Sequence, residues 1–151
     1  GYRAMLASTT KLNTPGIALG AMDTVHALTD VTGFGLLGHL LEICRGSKAG
    51  ATIDFARVPL HPGVRDLAAA GFFTGASGRN WAGYGADVDL AAALGDTERA
   101  LLTDPQTSGG LLVACAPAAV DDVLAVFHRE GFADAAEIGA MTQGPARVAV
   151  R

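Results

Sequence analysis

The chain has 151 residues, a mass of 15.3 kDa and a mean hydropathy of +0.32, with half of its residues apolar and 17% charged. That composition excludes a disordered chain and fits one folded domain with a core of its own. Eleven basic against fifteen acidic residues leave a net charge of -4, so neither nucleic acid nor an anionic membrane surface is an expected partner. The longest apolar stretch, Leu111 to Val120, is broken by Pro117 and falls short of the roughly 18 to 20 residues of a bilayer span. The first residues, Gly1 to Met5, lack the basic and apolar regions of a secretory signal. Cys44 and Cys115 stand singly in apolar surroundings with no Cys-x-x-Cys spacing. They are expected as reduced core residues of a cytoplasmic protein, not as a disulfide or zinc site.

In chain order, Ala4 to Leu12 is expected as a helix that ends at the Pro15-Gly16 break. Val25 to Val31 reads as a strand, and Phe34 to Arg45 as a helix with Phe34, Leu37, Leu41 and Cys44 along one stripe, bracketed by Gly46 and Gly50. Ala51 to Phe55 alternates like a short strand. Pro59 and Pro62 force an extended connection into a short helix carrying Val64, Leu67 and Ala68, with Gly71 as its stop. Phe72 to Ala86 contains Gly75, Gly78, Gly83 and Gly85 together with four aromatics, and reads as a long irregular binding loop. A strand follows near Val88 to Leu90, then a helix around Thr97 to Leu102, then a polar turn that opens on a buried strand, Leu111 to Cys115. Pro117 at the first helical position, Asp121 and Asp122 in the first turns, the face Val120, Val123, Leu124 and Phe127, and Gly131 at the exit define the clearest helix. Two strands, Ala136 to Ala140 and Arg147 to Val150, close the chain across Gly144-Pro145. Strands and helices alternate without a strict βαβ rhythm, which predicts an α+β domain with a layered mixed sheet and covering helices.

Three segments could carry chemistry. In Asp30-Val31-Thr32-Gly33-Phe34-Gly35-Leu36-Leu37-Gly38-His39 an acid, a hydroxyl and three glycines stand between a strand and a helix. Unpaired amides at a helix start attract phosphate, and glycines let it approach. A carboxylate beside phosphate is reconciled by a bridging divalent cation, which implies magnesium (Mg2+) at Asp30. The alternative is that Asp30 or Thr32 caps the helix and the glycines serve packing. Gly33-x-Gly35-x-x-Gly38 with Asp54 also fits a dinucleotide fingerprint, although the remaining residues hardly suffice for a doubly wound sheet. The second segment, Asp104-Pro105-Gln106-Thr107-Ser108-Gly109-Gly110, offers donors with little charge. It is not a Walker loop, and a turn bonding its own backbone is the alternative. The third is Arg79-Asn80, a planar cation and an amide beside Trp81 and Tyr84. The four histidines have no metal-ligand spacing. Only His39, one turn into the glycine-started helix, is a candidate for the site.

Asp30 to His39 and Asp104 to Leu112, in this order, resemble the selenophosphate synthetase (selenide, water dikinase) family, and Arg79-Asn80-Trp81-Ala82-Gly83-Tyr84-Gly85 resembles that family's Arg-Asn-aromatic-x-x-Tyr-Gly run. The likeness covers nearly all of residues 1–151 and only the family's C-terminal half. It implies the C-terminal domain of a two-domain, magnesium-dependent synthetase that makes selenophosphate from selenide, ATP and water, releasing AMP and orthophosphate. It also implies a fold like the C-terminal domain of aminoimidazole ribonucleotide synthetase. The family's nucleophile and lysine belong to the N-terminal, dimerising domain, so no catalytic residue is expected here and this chain alone is expected to be inactive. Its expected partners are that N-terminal domain, ATP and selenide, in a homodimer. Carried over by resemblance, Asp30 helps to hold magnesium at the ATP phosphates. Thr32, Gly33 and Gly35 shape the backbone beside it, and Asn80, Thr107, Ser108, Gly109 and Gly110 lie near the interdomain cleft. Thr74-Gly75-Ala76-Ser77-Gly78 replaces the family's Pro-Gly-Gly-Thr. Besides the dinucleotide-binding reading, a noncatalytic lid or interaction module stands as a further alternative.

Overall fold

A computed structural model describes residues 2–151. The expected stripe of the Asp30 to Gly50 region forms α3 (Gly35–Ser47), in which Leu37, Leu41 and Cys44 are fully buried and Leu40 and Ile43 nearly so. A helix this apolar must be covered on several sides, and it is. It contacts β1 (Val25–Asp30), β2 (Gly50–Ile53) and β6 (Val148–Val150), and also two helices, α5 (Gly75–Tyr84) and α6 (Asp96–Thr103). Phe34 lies outside this core. It sits at the N-cap position and is about half exposed. The helix ends at Lys48, held in left-handed conformation by bonds to Cys44 and Arg45 carbonyls, beyond the expected glycine.

Two sheets flank α3. β3 (Val88–Leu90), β6, β2 and β5 (Gly139–Thr142) form a four-stranded mixed sheet in that order; β3, β6 and β2 run parallel and β5 antiparallel. Val148 and Val150 of the inner strand β6 are fully buried. β1 pairs antiparallel with β4 (Leu111–Cys115) in a separate ribbon, with Asp30 opposite Leu111 and a bulge between Val25 and Ala27. The ribbon is covered on both faces. Ala27, Leu112 and Ala114 join the core around α3, whereas Val25, Leu28, Leu111, Val113 and Cys115 join a second core with Leu19, Val123, Val126 and Phe127. Successive residues of a strand point to opposite faces, so covering on both sides goes with the wholly apolar sequence of β4.

The second core comes from α2 (Pro15–Leu19) and α7 (Val120–Arg129). Pro117 opens a 3-10 turn ahead of α7, and Gly131 leaves it at φ +82°. The chain begins with α1 (Tyr2–Thr9), which buries none of its residues. α4 (Val64–Ala69) ends before Gly71 as expected. Of the last two strands, β6 lies where expected, whereas β5 starts only at Gly139, and β2 stands between them.

One expected element is overturned. Phe72 to Ala86 is not an irregular loop, since Gly75 to Tyr84 forms α5. Three glycines inside it cost about 1 kcal/mol each relative to alanine, and tertiary bonds offset them. Thr74 caps the helix by accepting from the Ser77 amide, the buried Ser77 hydroxyl lies 2.5 Å from Thr103 Oγ1 and donates to the Ala100 carbonyl, and Tyr84 Oη donates to the Phe34 carbonyl at 2.6 Å. The architecture is the expected α+β arrangement of mixed sheet and covering helices. Truncation of its central helix, Leu41→Ala, is expected to cost about 2–5 kcal/mol, seen as a lower urea midpoint with unchanged slope.

Candidate functional site

The two glycine-rich turns, far apart in sequence, are joined in space. The ribbon pairing of Asp30 with Leu111 continues past the strand ends: the Val31 amide donates to the Gly110 carbonyl and the Gln106 amide to the Thr32 carbonyl, each at 2.9 Å. Gly109 lies so close to this seam that a Cβ there would stand 1.7 Å from the Val31 oxygen. Asn13 adds a side-chain bond to the Gly109 carbonyl.

Gly35, at φ +68°, turns the chain into α3, and a Cβ there would stand 2.7 Å from the Thr103 carbonyl carbon. Gly38 packs beside the Tyr84 ring. These glycines answer to packing. Gly33 and Gly110 differ, because a Cβ at either would enter open space, so the backbone there is accessible to an incoming group.

The start of α3 has no side-chain cap, and the N-cap residue is Phe34. Neither side chain of Asp30 or Thr32 caps it, so the first-turn amides other than that of Gly35, which donates to the Thr32 carbonyl at 3.1 Å, remain available. The Asp30 carboxylate is exposed at the end of β1 and makes no hydrogen bond or ion pair among the described residues. Thr32 is half-buried, and its hydroxyl lies 3.0 Å from His39 Nε2. Asn80 is spent on the scaffold: Nδ2 donates to the Gly33 and Thr103 carbonyls, both at 2.9 Å, which ties α5 to the α3 turn and to the end of α6. The neighbouring Arg79 is exposed. Thr107 and Ser108 are exposed, with Ser108 at φ +59°, while Gln106 folds back on the Asp104 carbonyl.

Among the described residues no three His, Cys, Asp or Glu side chains form a metal-holding group. A lone carboxylate still suits magnesium, which keeps several waters and is commonly held by one or two carboxylates together with substrate phosphates. The contacts that the sequence does not reveal are the buried pair Ser77 with Thr103, the partly buried bond of Tyr84 to Phe34, and the exposed Thr74 donation to Asp104. Only Thr74 carried a local signal, as a capping residue ahead of a helix. Cys44 and Cys115 are free, and burial raises both thiols above their ordinary range. The dinucleotide reading fails on topology. β1 and β2 belong to different sheets, so the glycines do not join neighbouring parallel strands as that fold requires. Asp54 is also occupied, accepting from the Ala56 amide.

An α+β domain with two glycine-rich turns sewn together at one strand end defines a class of protein: the family model described as AIR synthase related protein, C-terminal domain, matches residues 5–151, and the chain belongs to that family. Among curated proteins it is 63% identical over 150 residues to a selenide, water dikinase of Burkholderia orbicola (strain MC0-3), covering 99% of this chain and 42% of that protein. A selenide, water dikinase of Rhizobium meliloti (strain 1021) is 50% identical over 149 residues, covering 99% and 43%. The chain thus spans less than half the length of these relatives. Of solved structures, E. coli HypE, a hydrogenase maturation protein, aligns with a TM-score of 0.65 at 20% identity, covering 94% of this chain and 37% of that one. Hydrogenase maturation protein HypE in complex with ATP aligns with a TM-score of 0.63 at 20% identity, covering 95% of this chain and 37% of that one. Both show the shared fold.

Two outcomes follow from the seam. Gly109→Ala is expected to destabilise the domain and shift the amides of Val31 and Thr32 in an NMR spectrum, whereas Gly110→Ala leaves both unchanged. Burial pushes the Tyr84 hydroxyl up to about 12, against an opposing contact with the Gly38 amide. The folded state therefore holds this proton more tightly than the unfolded chain. Stability is complete below pH ~10 and falls by about 2–3 kcal/mol as pH rises to ~12, an alkaline loss that denaturant titration should find absent in Tyr84→Phe.

Proposed function

We propose that this chain is the C-terminal domain of a selenide, water dikinase, an ATP-dependent phosphotransferase that makes selenophosphate from selenide, ATP and water. The observation that carries the reading is the convergence, on one edge of the domain, of an unpaired carboxylate, an uncapped helix start and two glycines open to approach. Its context is 63% identity to a protein of that name. The fold neighbour HypE has been solved in complex with ATP, which supports a nucleotide as ligand.

In this reading the first-turn amides of α3 beyond Gly35 and the exposed backbone at Gly33 and Gly110 face the phosphates. Gly35 and Gly109 keep the two turns in register, and Thr107 and Ser108 offer hydroxyls from the opposite side. Magnesium, held by Asp30 and phosphate oxygens, would neutralise the charge of the triphosphate, which is much of what phosphoryl transfer needs. Asn80 acts by fixing the Gly33 carbonyl, so it shapes the site without touching the nucleotide through its amide hydrogens.

The cleft is completed by the N-terminal domain that relatives of this length ratio carry, in a homodimer. That domain supplies the nucleophile, so this chain alone binds nucleotide weakly and has no turnover. Free, apolar-packed Cys44 and Cys115 suit the cytoplasm. The expected test result, in the two-domain enzyme, is that Asp30→Asn lowers magnesium-dependent selenophosphate formation roughly a hundredfold. Equal turnover of variant and wild type would remove Asp30 from the mechanism.

A further inference from the structure

His39 is the one buried histidine of the four, 7% exposed, and the reading above gives it no task. Both ring nitrogens are engaged. Nδ1 lies 2.8 Å from Glu42 Oε2, one turn further along α3, and Nε2 lies 3.0 Å from Thr32 Oγ1 at the mouth of the site. The Phe34 ring stands against the imidazole at 5.7 Å between centroids.

The partners assign the hydrogens. An ionised carboxylate accepts only, so in the neutral ring Nδ1 carries the proton and Nε2 a lone pair. The Thr32 hydroxyl must then donate to Nε2. Its single hydrogen is spent inside the protein, and what it can offer outward is lone pairs. The Thr32 backbone is held as well, since its carbonyl accepts from the Gln106 and Gly35 amides.

We propose that Glu42 and His39 are positioning residues that lock the Thr32 hydroxyl as an acceptor toward the site, so that Thr32 recognises a hydrogen-bond donor on the ligand and leaves the phosphate oxygens to backbone amides. The inference rests on the nucleotide reading for the identity of the ligand, but not for the hydroxyl's orientation. Two donors are chemically suitable: a water on a bound divalent cation, and a sugar hydroxyl of the nucleotide.

The first test needs no variant and no ligand. In the full-length protein, labelled with nitrogen-15 in histidine and held at the pH of the binding assay, His39 should show a protonated Nδ1 and an unprotonated Nε2. A doubly protonated ring or the opposite tautomer overturns the proposal, and this result reads out even if ATP never binds. The second test measures ATP affinity in the presence of magnesium. Thr32→Val should weaken it roughly tenfold, the usual consequence of one lost hydrogen bond, and Thr32→Ser should recover most of the loss. His39→Ala should weaken binding in the wild-type background and add nothing to Thr32→Val, because it acts through that hydroxyl. Additive losses, or a lower melting temperature with unchanged affinity in both variants, would show a purely structural histidine and overturn the proposal. Repeating the Thr32→Val comparison with 2′,3′-dideoxy-ATP separates the donors: a penalty that persists identifies cation-bound water, and one that vanishes identifies the sugar.

Discussion

Everything at the candidate site depends on a short seam of backbone, where Val31 and Thr32 bond to Gly110 and Gln106 across the end of the β1–β4 ribbon. Main-chain bonds of this kind bring two chain segments to hydrogen-bonding distance whatever their side chains. The close approach makes glycine obligatory at position 109, where a methyl would coincide with the Val31 carbonyl. With the seam in place, the start of α3, the Asp30 carboxylate and the Thr107 to Gly110 turn share one edge. Without it they would be unrelated loops.

Around this seam the side chains divide between construction and contact. Asn80, Tyr84 and Ser77 all lie on α5 and point their polar atoms at backbone or at buried hydroxyls. They brace the α3 turn from behind. Asp30, Thr107 and Ser108 remain exposed on the other side. Thr32 belongs to both groups, because its hydroxyl is half-buried and already committed to His39. A functional motif of this kind is therefore mostly scaffold. Its glycines at 35, 38 and 109 are demanded by neighbours within the domain, and only those at 33 and 110 leave room for something else.

The energetic basis of the fold is unequal along the chain. α3 is held by burial, with four large apolar side chains and Cys44 in a core shared by both sheets. α5 is held by specific polar bonds and the Tyr84 ring, since its three glycines disfavour a helix. Helices of the second sort are invisible to periodicity, because the stabilising partners come from α3 and α6 and not from the helix itself.

Read alone, the residues determine a good deal. The stripes of α3 and α7, the strand at Leu111 to Cys115, and the α+β class follow from local periodicity and from capping by proline and glycine, forces that act within a few residues of one another. The family membership is legible in the same way, in the order of Asp30 to His39 and Asp104 to Leu112. What only the tertiary structure decides is how those segments use their groups. It turns the supposed loop at Phe72 to Ala86 into a helix, puts Phe34 outside the core, assigns Asn80 to the scaffold and removes Asp54 from any ribose. It also encloses His39 between Glu42 and Thr32. Each of these outcomes depends on a hydrogen bond or a contact between residues of different elements, and such pairings are set by the packing of α3 against its neighbours, which no local pattern encodes.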